Sequence, residues 1–160
     1  MSDARFADGA EEALALKAEG AEDLPVISAM IQDAVGQVSE MRWIPKQHRL
    51  AFLLNRFRWE DADEAAAQSR PYERVQSVLV IDGALKVSSS GIDRNDQELV
   101  FSLLSLEFTP GEDGAGRMML TLAGDGEIAV DVETIDVILK DVSRPYKARA
   151  KALPRHSEDG

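Results

Sequence analysis

The sequence predicts an α+β fold, mainly an antiparallel β meander of about seven to eight strands with an N-terminal and a C-terminal amphipathic helix. Apolar residues recur at helical spacing in Asp23–Val35 and again in Val132–Val142. Between those segments the apolar period is two, and Gly, Pro, Asn and Asp interrupt it at intervals too short for parallel crossovers.

Residues 1–12 are polar and rich in Ala, Gly and acid, as expected of a flexible N-terminus. In Ala13–Ala18, Leu14 and Leu16 point one way, and the break at Gly20 favours a short strand over a weak helix. Leu24, Ile27, Ile31, Ala34 and Val35 then share one helix face. Asp23 is placed as its N-cap, Pro25 in its first turn and Gly36 as its stop. Gln37–Ile44 and Arg49–Trp59 read as the two strands of a hairpin around Pro45–His48. The second strand carries Leu50, Phe52 and Leu54 on one side and Leu53, Phe57 and Trp59 on the other, which suits a strand inside the sheet or one that bends between two layers.

Glu60–Ser69 is Ala-rich and acidic and reads as a short helical turn or a mobile loop. Arg74–Ile81 and Ala84–Ser89 flank Asp82-Gly83, a two-residue hairpin signal because both turn residues need positive φ. After a polar loop, Asp93–Gln97, the long apolar strand Glu98–Thr109 is able to bend at a corner. Arg117–Ala123 and Glu127–Asp131 form a further hairpin around Gly124-Asp125-Gly126. In Val132–Val142 the shared face is Val132, Ile135, Ile138, Leu139 and Val142, and Pro145 marks the end. The reading is one domain over 13–143 and a tail, 144–160, basic to His156 and then acidic. The tetrapeptide Ser-Arg-Pro-Tyr occurs at Ser69–Tyr72 and Ser143–Tyr146, and is read as coincidence.

Seven antiparallel strands closed by a C-terminal helix resemble a pleckstrin-homology-like barrel in element order, and a two-layer sandwich fits the same order. Several segments together resemble a bacterial family of uncharacterised single-domain proteins, a domain of unknown function. They are Ala21-Glu22-Asp23-Leu24, Val26-Ile27-Ser28-Ala29, Gln32-Asp33-Ala34-Val35, Leu54-Asn55-Arg56-Phe57 with Trp59-Glu60, Gly91-Ile92-Asp93 and Pro154-Arg155-His156. The resemblance covers about Leu14 to His156 and implies no chemistry.

Composition narrows the function. A chain of 160 residues is long enough for one self-supporting core, and with no Cys it carries no disulfide or thiolate site. There is no signal-like start and no apolar run able to span a bilayer, so the expected location is cytoplasmic, away from membranes. A net charge of −11 disfavours nucleic acid and anionic lipid.

One local anomaly stands against that charge. Met41–Trp59 holds Arg42, Lys46, Arg49, Arg56 and Arg58 with His48, interleaved with Trp43, Phe52, Phe57 and Trp59, and no acid. Guanidinium forks beside aromatic rings suit carboxylates and phosphates, so Arg42, Trp43, Arg49, Arg56, Arg58 and Trp59 are the candidate binding residues. The simpler reading makes the aromatics core and the arginines a solvated face paired with the protein's own carboxylates, Arg56 with Glu60 among them. The basic tail is likewise read as a surface segment on an acidic body.

No catalytic residue, metal site or cofactor is expected. The two His are far apart in sequence, and Gly111–Gly116 carries acids where a phosphate loop needs a Lys. The leading expectation is a non-enzymatic adaptor recognising an acidic peptide or an anionic small molecule through the 41–59 hairpin. The alternative is a hydrolase using dispersed carboxylates such as Asp93 or Asp96. A homodimer through a sheet edge is compatible with either.

Overall fold

The computed structural model describes residues 13–148. In chain order the elements are β1 (Ala15–Ala18), α1 (Leu24–Met30), β2 (Val35–Ile44), β3 (Arg49–Phe57), α2 (Trp59–Ala67), β4 (Glu73–Asp82) and β5 (Ala84–Ser90). Then come β6 (Val100–Pro110), β7 (Gly116–Leu122), β8 (Glu127–Val132), β9 (Val137–Asp141) and β10 (Tyr146–Lys147). The strands form one ten-stranded antiparallel sheet in the order β1-β9-β4-β3-β2-β6-β7-β8-β5, with β10 added to β4.

Period-two burial explains the pairing. Leu50, Phe52 and Leu54 of β3 face inward beside Leu79 and Ile81 of β4 and Val137 and Leu139 of β9. Met118, Leu120, Ile128 and Val130 of β7 and β8 do the same in the other half, and both halves share one core with Leu24, Ile27 and Ile31. The sheet therefore folds back on itself. The fold turns at β6, which pairs with β2 through Val100–Ser102 and then, after an irregularity between Leu103 and Ser105, with β7. That is the bend expected of the long strand.

Four expectations need correction. The C-terminal helix is absent: Val132 ends β8, and Val137–Asp141 is a strand between β1 and β4. Ile135, Ile138 and Leu139 fit a helical stripe, but Val137 and Leu139 bury by alternation, and the β-branched composition favours the strand. The barrel does not close either, because the hydrogen-bonded path ends at β1 and at β5 among the described residues.

Asp82-Gly83 is not a hairpin turn. Only Gly83 takes positive φ, +73°, and β5 pairs with β8. Both edges of β4 are already taken by β3 and β9, so the chain must leave the ladder there. The first helix is shorter than its periodicity, ending at Met30, and Asp23 makes no side-chain cap. Gly36 lies inside β2 instead, where a Cβ would come within 2.7 Å of the Phe101 ring.

Glu60–Ser69 takes the helical option as α2. The two Ser-Arg-Pro-Tyr copies meet in space: Tyr146 pairs with Arg74 in the ladder, and the Ala148 N–H donates to the Tyr72 carbonyl at 2.8 Å. The expected flexible N-terminus and most of the tail lie outside the described residues.

Candidate functional site: the two ends of the β2–β3 hairpin

Alternation along β3 decides the fate of its arginines. Arg56 follows Leu50, Phe52 and Leu54 in the inward row, so the strand carries a guanidinium into the end of the core. It is fully buried. Its two terminal nitrogens donate to Glu60 at 2.8 and 2.9 Å, one of them also to Asp141 at 3.0 Å, and Nε to Ser77 Oγ at 3.2 Å.

Ser77 and Asp141 are ladder partners on β4 and β9, so the same register builds the acceptor side. Asp141 also takes hydrogen bonds from the Ser77 hydroxyl at 2.7 Å and the Leu14 N–H at 2.9 Å. Burial alone pulls the Arg56 pKa down, but the bonds and charges of Glu60 and Asp141 outweigh it and hold it above its ordinary value.

Arg58 follows two residues on and is also buried, against Glu73 and, at 3.7 Å, Asp61 of α2. Arg70 grips Asp61 in a fork at 2.7 and 2.8 Å. That fork, with the nearby Arg58 charge, holds the Asp61 carboxyl below the usual carboxylate range although burial opposes it. Trp59 opens α2, lies 4.7 Å from the Phe57 ring centre, and donates its indole N–H to the Gln32 carbonyl at 2.9 Å. This end of the hairpin is a charged plug closing the core.

The other end is open. A short 3-10 turn, Pro45–Gln47, and His48 in the left-handed region (φ +52°) reverse the chain. Arg42, Lys46, His48 and Arg49 are exposed around it. Arg42 folds back onto the carbonyls of Ser39 and Met41. Arg49 pairs with Asp82 at 2.7 and 3.4 Å, which raises its pKa. His48 Nδ1 stands 4.0 Å from Glu133. Trp43 packs partly against the core.

Of the six candidate residues, then, Arg42 and Arg49 remain at the surface, Trp43 borders it, and Arg56, Arg58 and Trp59 belong to the plug. Sequence reasoning found the Arg56–Glu60 pair but missed Asp141, Ser77, Asp61 and Glu73. An acid in period-two phase with Val137 and Leu139 was the available signal for Asp141.

The family model described as "Protein of unknown function (DUF2948)" matches residues 14–156. The chain belongs to this family. No curated protein and no solved structure matched it. The family carries no assigned activity, so function has to be argued from side chains.

Asp93 and Asp96, the carboxylates of the hydrolase alternative, are exposed and accept N–H bonds from Asn95 at 2.9 Å and Glu98 at 3.2 Å. They shape their own loop. Among the described residues no three His, Cys, Asp or Glu cluster as metal ligands would, and no helix is long and apolar enough to cross a membrane. An open groove of about 540 Å³ runs between α1 and β6, lined by Leu24, Pro25, Ser28, Leu106 and Phe108.

Proposed function

We propose that this chain is a non-enzymatic, cytoplasmic binding module that takes an acidic peptide or an anionic small ligand at the open end of the β2–β3 hairpin. The observation that supports it most is the exposed group Arg42, Lys46, His48 and Arg49 around one tight turn, on a chain whose net charge is −11. A carboxylate or phosphate arriving there competes with Asp82 for the Arg49 fork and gains the Lys46 ammonium. The acidic remainder of the surface repels polyanions, which favours short anionic segments over nucleic acid.

The test is fluorescence anisotropy of a labelled Glu-rich or phosphorylated peptide against the native protein and the Arg42→Glu/Lys46→Glu double variant. Binding should weaken by at least about tenfold in the variant, some 1.4 kcal/mol, with an unchanged thermal melt. Equal affinity in a folded double variant sinks the reading.

A further inference from the structure

The two halves of the sheet treat their outer faces differently. Around β7, β8 and β5 the outward positions are mostly polar, among them Arg117, Thr121, Glu127 and Asp131, with Arg117 bound to Asp131 at 2.8 Å and only the Met119–Ala129 pair apolar between them on β7 and β8. Across β3, β4 and β9 the central outward positions are Ala51, Leu53, Val78, Val80 and Ile138, set side by side by the ladder, with Asn55, Gln76, Asp82 and Lys140 around them. The five apolar residues are half-buried and lie outside the core cluster. A solvated antiparallel face normally alternates to polar, so a contiguous apolar one marks a contact surface. Segments 1–12 and 149–160 hold only Met1, Phe6 and Leu153 as large apolar residues, too few to cover it.

We propose that this face is a dimer interface on which a second copy of this chain packs, about a two-fold axis running along β4. Such an axis lays the β3–β2 side of one copy over the β9–β1 side of the other, with the sheets about 10 Å apart. Two features then become self-complementary. Val142, 51 % exposed and just past β9, lies over a hollow of about 220 Å³ lined by Leu53, Asn55, Gln76 and Val100. Glu40 at the β2 border comes diagonally across from Lys140 of β9, one strand away and within reach of its long side chain, both exposed. Polar residues at the margin and aliphatic ones at the centre match the anatomy of protein interfaces.

The surface is separate from the hairpin turn, and molecular mass and peptide affinity report on the two readings independently. The test is sedimentation of the full chain between about 1 and about 100 µM. The native protein should run as a dimer at the upper end. Val142→Asp should give a monomer with an unchanged circular dichroism spectrum, because that side chain supports no core. Glu40→Lys should weaken the dimer by about tenfold, and adding Lys140→Glu should restore it. Thr121→Lys, on the polar half, should leave the dimer intact. A native monomer throughout overturns the proposal, as does a dimer indifferent to both Val142→Asp and Glu40→Lys.

Discussion

β3 begins with one arginine, Arg49, and carries another, Arg56, one residue before its end, and the two share little beyond residue type. Arg49 stands in solvent and forms its ion pair with one carboxylate, Asp82, with Asp136 nearby. Arg56 is sealed from water by Glu60, Asp141 and Ser77 from three other elements. The strand's period explains the difference. Arg56 is an even number of residues from Leu54, Phe52 and Leu50, and so shares their inward row. Arg49 falls in the outward row with Ala51 and Leu53. One end is an exposed cation able to change partners, and the other is a fixed part of the fold.

The largest expected effect lies in the plug. Replacing Asp141 by Leu leaves Arg56 buried with half its compensation, a change that typically costs about 3–5 kcal/mol. Urea unfolding measures it. Adding Arg56→Met should recover most of the loss, because an apolar pair in that place needs no compensation. A double variant as unstable as the single would mean that Arg56 and Asp141 do not act as a pair.

Next in size is the acid response. The Asp61 pKa is lowered mainly by its hydrogen bonds to Arg70, so its contribution to stability is complete above the unfolded value of about 4. It is lost as pH falls through the still lower folded value. Asp61→Asn should therefore flatten the acid limb of melting temperature against pH, recorded from neutrality downwards. An unchanged acid limb would remove Asp61 from the account.

The smallest stability effect belongs to the open end. Arg49→Gln should leave the urea midpoint within error while weakening capture of an acidic peptide a few-fold by anisotropy. A large loss of stability there would erase the contrast between the two ends.

Much of the local structure was legible from period and punctuation. β1, the β2–β3 hairpin, the bend of β6 and the β7–β8 hairpin follow from alternation and from Gly and Pro placement. β9 was not legible, because a short apolar run of Ile, Val and Leu satisfies the helical and the extended template together. Only its place between β1 and β4, a long-range fact, separates them. The Asp82-Gly83 corner fails for the same reason, since occupancy of both β4 edges is decided by residues far away in sequence. At the candidate site, composition located the basic strip. It did not reveal which arginines the core would claim, because Asp141 is eighty-five positions from Arg56.

The most direct test of the divided strip is urea denaturation of four single variants side by side: Arg42→Ala, Arg49→Ala, Arg56→Ala and Arg58→Ala. The account predicts that the last two unfold at clearly lower urea while the first two match the native protein. Four equal midpoints, or a larger loss at Arg42 or Arg49 than at Arg56, would contradict it.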